Sequence, residues 1–224
     1  MPDRLEFISK LNRAILHWIK YESACGRSRL LSEASLTVPM GDVLHAIFGK
    51  RFHRELSFTL NAEGEKKRGR PTQLDFAITR YTQRDQAEIL YAIECKFIKS
   101  SSSKIPHAIA RDIIRLTGLE PSRGRRRFLV VAGIRRVIKE KLGPLGVGRN
   151  GVLPAKNKKP KLVRLRDLTE RRRALFLKAI PNVKPPRSFK IERVTLKPAA
   201  PQLGEFMSEI YEISRVQGGG IYEA

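Results

Sequence analysis

Cysteine and tryptophan are almost missing from this chain: 224 residues hold two Cys and one Trp, and aromatic side chains make up only 7%. So few cysteines exclude a small disulfide-stapled scaffold, and Cys25 and Cys95 form neither a CxxC nor a Cys/His metal pattern. Two free thiols in a reducing compartment are expected. The four histidines, His17, His45, His53 and His107, have no metal-ligand spacing either. Long apolar runs are absent too. The longest, Phe128-Leu129-Val130-Val131-Ala132-Gly133, falls far short of the roughly 20 residues that span a bilayer. The N-terminal Met1-Pro2-Asp3-Arg4-Leu5-Glu6 carries acids and no apolar signal core. The expectation is an intracellular, cytoplasmic protein with no membrane association.

The remaining scarcity is negative charge. Only 22 Asp+Glu oppose 45 Lys+Arg, which leaves a formal charge of +23 and a pI of about 10.7. A polyanion partner relieves that self-repulsion, and nucleic acid gains further because neutralised phosphates release counterions. The excess is uneven. Residues 121–224 hold 25 basic and 8 acidic side chains, against 20 and 14 in residues 1–120. Basic clusters lie at residues 66–70, 123–127, 156–161 and 171–173. Lys67, Arg68, Arg70, Arg125 and Arg126 are the expected phosphate contacts, joined by Arg111 and Arg115, which follow His107 at four-residue steps along a helix. Each cluster alone is ordinary solvated charge; together they favour backbone contact with nucleic acid, DNA or RNA.

Along the chain, Leu5, Ile8, Leu11, Ile15, Trp18 and Ile19 recur at helical steps, which predicts a helix over residues 3–21. Residues 30–48 read as helical but broken at Pro39, with a second piece over 41–48. Strands are expected at 55–60, 73–81 and 88–98, with a polar hairpin loop at 61–70. A helix over 105–119 opens on Pro106, and 128–133 reads as a buried strand of a parallel pair. Beyond residue 135 the composition becomes basic and loop-rich, with a helix at 167–180, a strand at 188–196, an ambiguous segment at 206–216 and a mobile glycine tail at 218–220. Two regions result: an N-terminal helix and core over 1–135, and a basic C-terminal region over 136–224, packed on the core or extending it.

Within the strand 88–98, the run Tyr91-Ala92-Ile93-Glu94-Cys95-Lys96-Phe97-Ile98 is apolar except for two charges two residues apart. At strand period both project from one face, shared with Leu90, Ala92 and Ile98. Burying such groups is costly unless they pair or bind something. The preceding strand adds Asp75, which shares a face with Ala77 and Thr79, opposite Leu74, Phe76 and Ile78. The plain alternative is a solvated strand face, but the apolar neighbours argue against it. Two converging carboxylates with a lysine suit phosphodiester hydrolysis: Mg2+ takes oxygen ligands from one or two carboxylates plus phosphate, and an ammonium steadies charge growing on the phosphoryl group.

Leu74-Asp75 followed by Glu94-Cys95-Lys96 resembles the motif of the PD-(D/E)xK nuclease superfamily, in which an acid on one strand precedes Glu/Asp-x-Lys on the next. The order helix 41–48, strands 55–60, 73–81 and 88–98, helix 105–119 and strand 128–133 is similar to that group's αβββαβ core. The resemblance spans residues 30–133 and departs from the family at Pro71, four positions before Asp75 rather than adjacent to it. It implies an α/β restriction-endonuclease-like fold, a central mixed sheet flanked by helices, here with a basic C-terminal extension. It implies Asp75 and Glu94 as ligands of Mg2+ (or Mn2+), the Cys95 carbonyl as a further ligand, and Lys96 in catalysis. Members often add an acid from the first core helix or strand, which points to Glu33 first and Glu55 second. A prokaryotic or phage endonuclease of defence, repair or recombination fits this pattern, and a homodimer would pair two active sites for duplex cutting. The alternative is a nucleic-acid-binding protein that keeps the fold and does not cut.

Overall fold

The computed structural model describes residues 4–58, 72–81, 87–100, 102–119, 125–146, 151–154, 159–180, 185–194 and 205–216. The expected hairpin loop at 61–70, with Lys67, Arg68 and Arg70, and the glycine tail lie outside the described residues.

Among the described residues seven strands form one mixed sheet: β1 (Phe52–Phe58), β2 (Thr72–Tyr81), β3 (Ala87–Ile98), β4 (Arg126–Ile134), β5 (Lys161–Arg164), β6 (Ser188–Arg193) and β7 (Phe206–Arg215). Their spatial order is β1-β2-β3-β4-β7-β6-β5. Only β3 and β4 run parallel; every other neighbouring pair is antiparallel. The parallel pair requires a crossover, and α3 (Ile105–Gly118) supplies it. The run Phe128–Ala132 is buried throughout, as a strand covered on both faces must be.

Helices cover both faces. α1 (Arg4–Ala24) and α2 (Glu33–Phe48) set Phe7, Leu11, Leu36 and Met40 against Phe76, Ile93, Cys95 and Val130. On the other face α3, α4 (Arg135–Leu142) and α5 (Glu170–Leu177) pack Ile109, Ile113, Ile138 and Phe176 against Ala92, Leu129, Val131 and Tyr211. β7 pairs with β4 from Phe128↔Glu212 to Ile134↔Phe206, so β7 belongs to the same sheet as β1–β4. Among the described residues no helix is long and apolar enough to cross a membrane, and Cys25 and Cys95 are free thiols.

Several expectations need correction. α2 is one helix, not two pieces: Pro39 sits inside it, where proline forfeits one bond to the carbonyl four residues back, while Leu36, Met40 and Leu44 are wholly buried on both sides of it. β1 begins at Phe52 and not at 55, because Phe52 pairs with Ile78. The helix expected at 167–180 shrinks to α5 behind a 3₁₀ turn at Leu165–Asp167, and 206–216 resolves as a strand through its pairing to both β4 and β6.

α2 starts on a capping box. The Ser32 hydroxyl accepts the Ser35 N–H (3.1 Å) and the Ser35 hydroxyl accepts the Ser32 N–H (2.7 Å), satisfying two donors that a helix start leaves orphaned. Ser32→Ala is therefore expected to cost about 1 kcal/mol, read as a lower urea midpoint at unchanged m-value. An unchanged midpoint would show that the box carries no weight.

Candidate active site

β2 and β3 part company where the charges lie. Their register runs from Tyr81↔Ala87 to Phe76↔Ile93 and ends there, one residue before Asp75. The β1–β2 register likewise passes from Arg54↔Phe76 to Leu56↔Leu74 without a Glu55–Asp75 pair. Glu55 has φ of 55°, a left-handed conformation uncommon outside glycine and found where structure is strained for a purpose. The expected alternation through β2 breaks at the same point: Leu74 packs with Ala77 on the α3 side, whereas Phe76 and Ile78 pack on the α1–α2 side. In place of a strand partner, the Asp75 carboxylate takes over: its Oδ2 accepts the Cys95 N–H at 2.8 Å. That bond fixes an acid from β2 beside Glu94 and Lys96 of β3.

Glu94 is wholly buried, at 0% exposure, and neither of its carboxylate oxygens has a hydrogen-bond partner. It lies on the sheet face turned to α3, alternating with Ile93 and Cys95, which pack against α1 and α2. α3 answers with Asp112, 1% exposed, and Arg115. The Lys96 ammonium donates to Glu33 Oε1 at 2.9 Å and lies 3.3 Å from Asp112 Oδ2. Arg115 Nη1 lies 3.7 Å from Glu94 Oε1 and 3.6 Å from Asp112 Oδ1. Four carboxyl groups thus share two cations.

Burial first, and that imbalance second, set the protonation. Burial, helped by Asp112 and then Asp75, pushes the Glu94 carboxyl well above the usual range, against the pull of Arg115 and Lys96. Burial also raises Asp112, to about 6, although Lys96 and Arg115 pull it down. Burial works against the Lys96 charge, but Asp112, Glu33 and Asp75 outweigh it and hold the ammonium above its ordinary value. The Cys95 thiol is raised, by burial first and then by Asp75 and Glu33, so it stays protonated and is not a nucleophile.

The anticipated residues divide as follows. Asp75, Glu94, Lys96 and Glu33 meet in one cluster. Glu55 is exposed and takes no part in the cluster's hydrogen bonds and ion pairs. Arg115, anticipated as a phosphate contact, turns inward to the acids. Arg111 donates to the Ala179 carbonyl (3.1 Å) and Arg125 to the Ile89 carbonyl (3.0 Å), while Arg126 faces Glu212 at 3.5 Å. Two arginines of the 171–173 cluster also donate to backbone carbonyls, Arg172 to Pro144 and Arg173 to Leu168. Part of the basic excess therefore pins loops. His107 lines a cleft of about 520 Å³ with Pro106, Lys141, Arg171, Leu175 and Lys178, apart from the acid cluster.

Asp112 was not anticipated. Its signal is its place between Ile109, Ile113 and Leu116, the apolar stripe of α3, where a carboxylate has no business unless it meets a partner.

The donor set suits a hard divalent cation: the buried Glu94 carboxylate oxygens are without hydrogen bonds. As the side chains stand, no three His, Cys, Asp or Glu among the described residues converge in a metal-holding group. Comparison of the chain with protein-family models, with curated proteins and with solved structures finds no match.

Proposed function

We propose that the protein is a divalent-metal-dependent nuclease of the PD-(D/E)xK type, acting on DNA with Mg2+ or Mn2+ and using Asp75, Glu94 and Lys96. One observation carries the reading: a wholly buried glutamate with both oxygens unbonded sits beside an aspartate that leaves its strand ladder to join it. Such an arrangement is costly in a structural core and makes sense as a cation site. The order α2-β1-β2-β3-α3-β4, with β3 and β4 parallel, supports the αβββαβ core expected from the motif.

Asp75 and Glu94 would hold the cation, with the Cys95 carbonyl next to them. When bound, it supplies polarisation of a phosphoryl oxygen and a water acidified toward neutrality. The residues themselves do the rest. The Cys95 N–H holds the Asp75 carboxylate in place. Glu33 and Asp112 keep the Lys96 ammonium charged and aimed; of its three N–H donors, two face those acids, which leaves one for a phosphate oxygen or the attacking water. Glu94 and Asp112, buried on the α3 side, give the site a low-dielectric flank that strengthens charge contacts. The second reading, binding without cleavage, draws on the pairing of Lys96 and Arg115 with acids inside the cluster.

Incubating the protein with supercoiled DNA, linear DNA and RNA, with Mg2+, Mn2+ or EDTA, separates the two. Metal-dependent cleavage abolished by EDTA is the expected result; salt-sensitive binding with no turnover in either metal would leave the binding reading alone. Binding itself should be steeply ionic. For contact with about six phosphates, affinity is expected to fall about 10³-fold between about 50 and about 200 mM salt, measured by fluorescence anisotropy. A flat salt profile would mean that the +23 charge faces something other than a phosphate backbone.

A further inference from the structure

The nuclease reading leaves Arg115 without a task and gives Asp112 only a share in holding Lys96, and their geometry supplies more. They stand three residues apart on α3, turned to the sheet face that carries Glu94. One guanidinium nitrogen, Arg115 Nη1, lies nearly equidistant from an oxygen of Glu94 and an oxygen of Asp112, at 3.7 and 3.6 Å. A single positive charge thus straddles two buried carboxylates. It does so poorly: guanidinium carries five N–H donors in a fork that suits bidentate carboxylate binding, yet both Glu94 oxygens are buried and without hydrogen bonds, and the second Asp112 oxygen faces Lys96 at 3.3 Å instead. The position is one for a cation; the fit is not one for a guanidinium. With all four carboxyl groups ionised, the cluster would hold four negative charges against two cations, an excess that one divalent ion would neutralise.

We propose, resting on the nuclease reading above, that Asp112 is a third carboxylate ligand of the divalent cation and that Arg115 is the cation's internal competitor. Arg115 holds Glu94 and Asp112 in the metal-free protein and gives them up when the ion binds. The two positive charges contend for the same carboxylates, so each weakens the other's hold. The device keeps two buried acids from repelling each other before the ion arrives, and it releases a guanidinium next to the bound ion, where the phosphate backbone would lie.

The test is Mn2+ binding, followed by electron paramagnetic resonance of free Mn2+ and by calorimetry, on the wild-type chain and on Glu94→Gln, Asp112→Asn, Arg115→Gln and Arg115→Lys. The expected pattern is binding by the wild type, loss in Glu94→Gln, a weakening of about tenfold or more in Asp112→Asn, on the scale of lost metal-site partners, and tightening of about tenfold in Arg115→Gln. Arg115→Lys should return affinity toward wild type. Melting curves provide a second readout: Arg115→Gln should melt lower than wild type in EDTA and recover with Mn2+. A purely structural arginine would not bind metal more tightly when removed. If the wild type binds Mn2+ and Glu94→Gln does not, while Asp112→Asn and Arg115→Gln match wild type, the inference is overturned and the nuclease reading stands. A wild type that neither binds Mn2+ nor cuts overturns both.

Discussion

Alanine at Asp75 or Glu94 is expected to remove strand cleavage, by about 10³-fold or more, while nucleic-acid affinity stays within about twofold. The size follows from the loss of one charged ligand worth about 4 kcal/mol in the transition state, at about 1.4 kcal/mol per tenfold in rate. Affinity is spared because backbone binding draws on charge spread over the surface, and neither acid contributes to it. Stability should move the other way at Glu94. Its carboxylate is wholly buried with no hydrogen bond, so the folded metal-free protein carries a desolvation cost that Gln reduces. Glu94→Gln is expected to raise the melting temperature in EDTA by about 2–4 °C, the equivalent of about 1 kcal/mol in a chain of this size, while abolishing cleavage. A residue that destabilises its own fold and is needed for turnover is placed for function. Unchanged cleavage in either alanine variant would refute the mechanism; a drop in stability for Glu94→Gln would mean instead that Arg115 and Lys96 outweigh the cost of burying the carboxylate.

Asp75, Glu94 and Lys96 were legible in the sequence because a charge inside an apolar strand is an anomaly at a period of two, and the anomaly has few cheap resolutions. Asp112 escaped because a helix tolerates polar residues at three- and four-residue spacing. Its place in the stripe of Ile109, Ile113 and Leu116 shows only when the helix is turned against the sheet. Arg115 reads as an outward cation by the same rule, and its inward turn depends on acids from another element. Pro39 was read as a break because local propensity forbids it; burial of Leu36, Met40 and Leu44 outweighs that cost. The bend at Asp75 is a tertiary event. It arises from a lost register with both neighbours and a left-handed Glu55, and alternation along β2 alone predicts a straight strand. α4 and β5, of eight and four residues, are too short for periodicity to separate from the loops around them.

Gly133→Ala should be among the most damaging single-methyl changes in the chain. Gly133 is held in two ladders, opposite Ile98 on the parallel side and Met207 on the antiparallel side, and its φ is +141°, open to glycine and strained for any other residue. A Cβ there would lie 2.0 Å from the Ile98 carbonyl oxygen, 2.7 Å from its carbon and 2.8 Å from its nitrogen. All three are backbone atoms, so no rotamer relieves the clash and the end of β3 must move away from β4. That end begins two residues after Lys96, so the displacement reaches the ammonium as well as the ladder. A loss of about 4 kcal/mol or more is expected, in the range reserved for backbone strain and overpacking, with a fall in melting temperature of about 10 °C. Gly41→Ala is the internal control. Gly41 is helical, the nearest atoms to its Cβ are Phe52 Cζ at 3.7 Å and Phe76 Cε1 at 3.9 Å, and alanine should stabilise α2 by about 0.5–1 kcal/mol. The same methyl group added at two glycines is thus expected to act with opposite signs. Equal stability of the two variants would contradict the close approach of β3 and β4 on which the placement of Lys96 depends.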